Sequence, residues 1–153
     1  MKDSRLGTFG VLTLVFNALL KFSLLRALPP SAVPAALILS STFSRYFLCF
    51  FLLTDQYAGK LEQSKSHSVV AKSLNTTDFL FATLWTVIAW IILYYPHFSL
   101  LKFFTITTAL LLSYFFLKLY FKNKLGGYTG DTLDAAEQIF EVIFLIFNGL
   151  NQK

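Results

Sequence analysis

Residues 79–95 read FLFATLWTVIAWIILYY and contain no charged side chain. A second apolar run, Phe103–Leu117, follows almost at once. A helix that crosses the ~30 Å hydrocarbon core of a bilayer needs about 20 mostly apolar residues, and both runs reach that length with their flanks. Only 14% of the whole chain is charged and 56% is hydrophobic, whereas soluble domains carry about 25% charged residues. The sequence therefore predicts an integral membrane protein.

Five helices are predicted from the apolar runs and the segments between them. The first break contains Pro29, Pro30 and Pro34, because proline removes a backbone donor and clashes inside a helix. A polar segment, a Pro96-His97 turn and a glycine-rich turn separate the later helices. The predicted spans are 8–28, 35–53, 78–95, 98–121 and 131–150. We therefore expect an all-α, polytopic membrane helix bundle that forms one domain over residues 1–153.

Basic residues are concentrated on one side of this predicted topology. With five spans, the N-terminus, segment 54–77 and turn 122–130 share that side. Its basic residues are Lys2, Arg5, Lys60, Lys65, Lys72, Lys122 and Lys124. An excess of Lys and Arg is typical of the cytoplasmic face, and it also suits anionic lipid headgroups. We expect a cytoplasmic N-terminus and membrane lipid as a partner, and nothing in the sequence indicates nucleic-acid binding.

Four acidic residues open the last predicted helix. At about 100° per residue, Asp134, Glu137 and Glu141 form one stripe, and Asp131 stands at its mouth. Glu141 lies roughly 15 Å beyond Asp131, where an ionised group costs on the order of 3 kcal/mol in lipid. The stripe is therefore expected to face the bundle interior or a wet cavity. We predict that Lys21 or Arg45, which lie at comparable depth, pairs with Glu137 or Glu141. A structural ion pair and a functional group both remain open interpretations.

Two further polar patches accompany the apolar runs. Residues 126–131 read GGYTGD, and residues 1–10 read MKDSRLGTFG. Glycines adopt positive φ at little cost, and helix N-termini bind phosphate through their free N–H groups. Taken alone, the first patch is better explained if Asp131 caps the last helix, and the second if it is a solvated membrane anchor.

Together these patches resemble the cobalamin synthase family, also called adenosylcobinamide-GDP ribazoletransferase. KDSRLGTFG at 2–10, Arg45, and GGYTGDTL at 126–133 with its later glutamates occur in the family's order over essentially the whole chain. The resemblance implies an inner-membrane enzyme of late vitamin B12 synthesis that requires Mg²⁺. Such enzymes join α-ribazole, or its 5′-phosphate, to adenosylcobinamide-GDP and release GMP. The implied partners are these two substrates and other cobalamin-assembly enzymes.

The residues of the two patches suit that chemistry. Attack on a pyrophosphate requires cations that spread the developing charge and carboxylates that hold the metal. The expected catalytic carboxylates are Asp3, Asp131, Glu137 and Glu141, with Asp3 and Asp131 as the metal ligands. The residues expected to bind substrate and phosphate are Lys2, Ser4, Arg5, Arg45, Gly127, Thr129 and Gly130.

Two features depart from the family pattern. Family members continue upstream of KDSR with an acidic, DG-containing stretch, whereas this chain begins at Met1. We therefore expect a fragment that corresponds to the C-terminal part of the family, and the missing acids put independent catalysis in question. In addition, Asp134 stands where the family has glycine.

Two other functions fit the polar residues. One is a small transporter or structural membrane subunit with a Glu/Lys/Arg relay, and the other is a phosphotransferase for a different nucleotide-activated alcohol. An enzyme should gather the head segment, Arg45 and Gly130–Asp131 around one cavity, whereas a transporter should place its charges along a path across the membrane.

Overall fold

Five helices form the part of the chain that the structure describes. The structure is a computed structural model, and it describes residues 8–58, 74–94 and 100–150, with the side chains of residues 9 and 94 excepted. The helices are α1 (Thr8–Arg26), α2 (Val33–Thr54), α3 (Thr76–Tyr94), α4 (Leu100–Leu125) and α5 (Gly130–Leu150). The predicted all-α class is confirmed.

Most helix ends differ from the predicted bounds by one to four residues, and two of these differences have identifiable reasons. Pro34 was assigned to the break before α2, but it lies in the first turn of that helix, where its missing N–H is not needed. Helix α4 continues beyond the predicted end at 121, because basic side chains such as Lys122 are compatible with a helix C-terminus. It stops at Gly126, which has φ 77° and donates its N–H to the Lys122 carbonyl at 3.0 Å.

Helices α2 and α5 form the centre of the bundle, because α5 contacts α1, α2 and α4, and α2 contacts α3, α4 and α5. The fully buried side chains of α5 include Phe140 and Phe144. The Phe144 ring lies 5.4 Å from Phe43 of α2, and the Phe140 ring lies 5.7 Å from Phe47. Because lipid is as apolar as these rings, helix association in a membrane depends on close packing more than on the hydrophobic effect. The interlocked aromatic rings supply that packing.

The contacts between helices define their directions. Asn17 contacts Gln138 and Lys21 contacts Glu141, so α1 and α5 run in the same direction. Helix α2 runs against α5, since Phe43 contacts Phe144 and Phe51 contacts Phe140. Contacts of α3 with α2 and of α4 with α2 and α3 continue the alternation. The starts of α1, α3 and α5 therefore lie at one end of the bundle with the ends of α2 and α4. We call this the site end.

Large apolar side chains cover the outside of the bundle. Among the described residues, three helical segments are long and apolar enough to cross a membrane: Val33–Thr54, Thr76–Leu93 and Leu100–Leu125. Phe81 and Trp85 of α3 and Phe116 of α4 are among the side chains that are mostly exposed. Exposed apolar faces of this extent suit lipid and not water. The chain is thus a membrane protein.

Candidate functional site

The first turn of α5 is closed by a reciprocal pair of threonines. The Thr132 N–H donates to Thr129 Oγ1 at 3.3 Å, and the Thr129 N–H donates to Thr132 Oγ1 at 2.8 Å. This is the geometry of a capping box, so Thr129 is the N-cap and Asp131 is not. Both polar groups of Thr129 that were expected to meet a phosphate are thus engaged in capping. The helix start leaves the N–H groups of Gly130 and Asp131 for an outside partner.

Gly130 and Asp131 border open space. A Cβ added to Gly130 would meet no heavy atom within 4 Å, and the Asp131 side chain is exposed. An anion could therefore approach this helix start without displacing another side chain. Among the described residues of the predicted site, Gly130 and Asp131 are accessible at the site end.

A short backbone pairing fixes the turn before α5. The Tyr128 N–H donates to the Gln56 carbonyl at 3.2 Å, and the Ala58 N–H donates to the Tyr128 carbonyl at 2.9 Å. A Cβ on Gly127 would overlap the carbonyl oxygen of Gln56. We call this pairing of residues 56–58 with 127–128 the clasp. Glycine is therefore required at position 127 for this close packing, independently of the substrate contact that the sequence predicted for it.

A polar cluster lies beside the clasp, and the sequence interpretation overlooked it as a site. Lys118 of α4 donates to Thr54 Oγ1 at 2.8 Å, and its Nζ lies 3.4 Å from Asp55 Oδ1. The hydroxyls of Thr54 and Tyr114 are 2.6 Å apart. The signal was present in the sequence, because Lys118 is the only charge between residues 103 and 121. An intramembrane charge of this kind usually has a defined partner.

Tyr128 connects the clasp with this cluster electrostatically. Its side chain is buried, and that burial raises the pKa of its hydroxyl above the ordinary value. The negative charge of Asp55 raises the pKa further, and Tyr57 adds to the effect. The Tyr57 and Tyr128 rings meet edge to face at 5.7 Å.

The acidic stripe of α5 is paired with cations from two other helices. Lys21 of α1 forms a salt bridge with Glu141 and also donates to Gln138 Oε1 at 2.6 Å. Arg45 of α2 donates from Nε to Glu137 Oε1 at 3.0 Å. The predicted pairing is confirmed for both candidate cations. The Arg45 side chain remains 73% exposed.

A groove follows the seam between α1 and α5. It has a volume of about 780 Å³. At the site end it is lined by Gly10 and Asp134, and deeper by Asn17 and Gln138. The rest of its lining is mostly apolar. Helix α1 begins beside the start of α5, so Thr8 lies at the end of the bundle where Asp131 lies. The head residues Lys2, Asp3, Ser4 and Arg5 themselves lie outside the described residues.

The metal prediction depends on one such residue. Within residues 8–58, 74–94 and 100–150, no three His, Cys, Asp or Glu side chains are grouped so that they could hold a metal ion. Of the two expected ligands, the described residues contain Asp131, and Asp3 lies outside them.

Comparisons with known proteins point to one family. The family model described as cobalamin-5-phosphate synthase matches residues 1–148. A relative from Shewanella piezotolerans, named adenosylcobinamide-GDP ribazoletransferase, is 39% identical over 94% of this chain and 54% of its own length. Relatives of the same name from Shewanella halifaxensis and Ralstonia pickettii are 37% and 33% identical. The chain spans about half the length of the curated relatives it matches. No solved structure matches it.

Proposed function

The chain belongs to the cobalamin-5-phosphate synthase family, and we propose that it carries the phosphate-handling half of an adenosylcobinamide-GDP ribazoletransferase. In that reaction a hydroxyl oxygen of α-ribazole, or of α-ribazole 5′-phosphate, bonds to the phosphorus that carries the corrinoid. The bond from this phosphorus to the bridging oxygen breaks, and GMP leaves with that oxygen. A ribazole hydroxyl loses its proton in the process.

The observation that supports this proposal is the common direction of α1 and α5. It places the start of α1, three residues after KDSR, beside the open Gly130–Asp131 turn. This position of Thr8 supports a single phosphate pocket formed by the two sequence patches at the site end.

Asp131 is the described carboxylate that fits Mg²⁺ best. It is exposed beside open space, whereas Glu137 and Glu141 are held by Arg45 and Lys21. Mg²⁺ in phosphate-transfer sites is usually held by one or two carboxylates together with substrate phosphates, so a single protein carboxylate here is compatible with it. When bound, the ion would neutralise charge that develops on the pyrophosphate. The free N–H groups of Gly130 and Asp131 stabilise the same charge.

Arg45 is the second phosphate-binding group in this proposal. Glu137 holds its Nε, which orients the guanidinium and leaves its terminal nitrogens exposed for an anion. Glu137 lies about 9 Å along α5 from Asp131, a distance that a pyrophosphate with its substituents can cover. Glu137 and Glu141 thus act as positioning residues, by holding Arg45 and Lys21.

The alternative relay function is not favoured. Lys21 and Arg45 each pair with a separate acid on α5, on the sides facing α1 and α2. A relay would instead need these groups to form one continuous path open to both sides of the membrane.

We further propose that all five helices span the inner membrane and that the site end faces the cytoplasm. Lys118, Lys122 and Lys124 lie in the last turns of α4 at the site end, whereas Arg26 ends α1 and Lys102 lies in the first turn of α4 at the opposite end. The larger basic charge at the site end supports this orientation and contact with anionic lipid. Nucleotide-activated substrates and other cobalamin-assembly enzymes would meet the protein from this side.

GMP release from adenosylcobinamide-GDP tests the function. Membranes carrying the chain, alone and with the upstream half of the Shewanella piezotolerans relative co-expressed, are supplied with α-ribazole and Mg²⁺. We expect GMP release in at least one preparation, and a loss of about 100-fold or more with Asp131→Asn, since one preorganised charge-stabilising group is worth that much.

The matched control is Asp78→Asn, which removes an exposed acid from the first turn of α3 at the same end. It should retain the activity. Absence of GMP release from both preparations, with the protein present in the membrane, would overturn the proposed function.

A further inference from the structure

We propose that Asp55 and Lys118 are positioning residues, which use the clasp to hold the Gly130–Asp131 turn in place for phosphate transfer. This inference rests on the proposed function for its catalytic consequence. The structural part, that these two side chains stabilise the clasp, stands independently of it.

The clasp joins the turn that begins α5 to the segment that follows α2. Its two backbone hydrogen bonds run in both directions between Gln56–Ala58 and Tyr128. Gly127 allows the closest approach, since any side chain there would overlap Gln56. Only two residues separate Gly127 from Gly130, so a shift of the clasp moves the start of α5 with it.

Asp55 and Lys118 anchor residues 56–58. Asp55 directly precedes Gln56, and its side chain is mostly buried against the Lys118 ammonium. Lys118 also donates to Thr54 Oγ1, which ties the last residue of α2 to α4. A single cation thus fixes two consecutive residues immediately before the clasp. An ion pair that is mostly withdrawn from water is strongly destabilised when only one partner is removed.

A series of contacts leads from Lys118 to the start of α5. Lys118 fixes Thr54 and Asp55, these fix Gln56, and Gln56 binds the turn that begins α5. Helices α2, α4 and α5 are thereby joined at the site end by polar contacts. Phosphate transfer benefits from such anchoring, because a displacement of about 1 Å in a reacting group can reduce a rate about 100-fold.

Hydrogen–deuterium exchange of the full chain in detergent micelles tests the anchoring without any need for activity. We expect Asp55→Asn and Lys118→Met to accelerate exchange of the Ala58 and Tyr128 amides at least about 10-fold, since these amides donate the clasp hydrogen bonds. Lys118→Arg, which keeps the cation, should restore most of the protection. Gly127→Ala should open the same amides, whereas Gly149→Ala should not, because a Cβ there makes only an ordinary contact with Leu28.

The same variants in the GMP-release assay test the catalytic consequence. With the wild-type preparation active, Asp55→Asn should lower kcat about 10- to 100-fold and leave KM within about twofold, because it displaces the reacting groups and not the substrate contacts. Lys118→Arg, which keeps the cation, should retain most of the kcat that Lys118→Met loses.

The two parts of the proposal fail separately. Unchanged amide exchange in both Asp55→Asn and Lys118→Met would overturn the anchoring. An opened clasp with an unchanged kcat would overturn the positioning role. An inactive wild type combined with the expected exchange pattern would instead overturn the proposed function and leave the anchoring in place.

Discussion

Glu141 lies about 16 Å along α5 from its first residue, a depth at which an unpaired charge is costly in lipid. Lys21 meets it from α1, and Gln138 accepts a second hydrogen bond from the same ammonium. The Asn17 side-chain amide donates a further hydrogen bond to the same Gln138 Oε1 atom at 2.9 Å. The charge is therefore balanced within one seam of the bundle, where polar contacts contribute to the docking of α1.

Removing one member of this pair should destabilise the protein. Glu141→Gln leaves the Lys21 ammonium with an amide partner alone, and we expect a loss of about 2–4 kcal/mol in the free energy of unfolding, below the upper range for fully buried pairs. Unfolding by SDS in mixed micelles measures it. The double variant Lys21→Met/Glu141→Gln should recover part of the loss, because no charge is then left unpaired. Equal stability of Glu141→Gln and wild type would contradict the buried-pair interpretation.

At the scale of helices, hydrophobic runs and residue spacing predicted the helices and their ion pairs. They did not predict where backbone segments that are distant in the sequence come close together. The acidic stripe and the depths of Lys21 and Arg45 sufficed to predict the ion pairs, since helical geometry fixes both. Sequence alone could not choose between the two cations, because both pairs exist on different sides of α5. The sequence predicted a break at Pro34, although this residue lies in the first turn of α2. Proline occurs both in breaks and in first turns, and the conformation of the preceding residues decides between them. The clasp was missed because it joins residues 56–58 to 127–128, and no local pattern encodes such a contact.

The packed face of α5 provides a second test at this scale. Phe140 is 0% exposed and its ring contacts Phe47 and Phe51, whereas its neighbour Ile139 is 40% exposed. Phe140→Ala should cost about 3–5 kcal/mol through the cavity it leaves, and Ile139→Ala less than about 1 kcal/mol. The same SDS titration compares the two variants. Similar costs for both would mean that α5 does not present the face described here to α2.

At the scale of the whole molecule, the alternating helix directions separate two chemically different ends. The site end carries the α5 start, the clasp, the Asp55–Lys118 pair and the basic end of α4. The opposite end contains the proline-rich link between α1 and α2. Between them the exposed surface of α2, α3 and α4, which are the segments long enough to cross a bilayer, is mostly apolar, with Arg45 as the exposed charge on α2. The clasp and the Asp55–Lys118 pair therefore lie at one rim, whereas the Lys21–Glu141 pair lies deeper in the bundle.

This arrangement predicts which end each side of the membrane can label. In a Cys49→Ser background, single cysteines at Ser31 and Lys124 lie at opposite ends, and both native side chains are exposed. A membrane-impermeant maleimide should label Ser31→Cys in cells whose outer membrane is permeabilised, and Lys124→Cys only in inverted inner-membrane vesicles. A cysteine at Thr8, also exposed, should behave like Lys124→Cys, because α1 begins at the site end. If Ser31→Cys and Lys124→Cys are labelled from the same side, α2, α3 and α4 do not all cross the bilayer. Labelling of Lys124→Cys and Thr8→Cys from outside would instead reverse the proposed orientation.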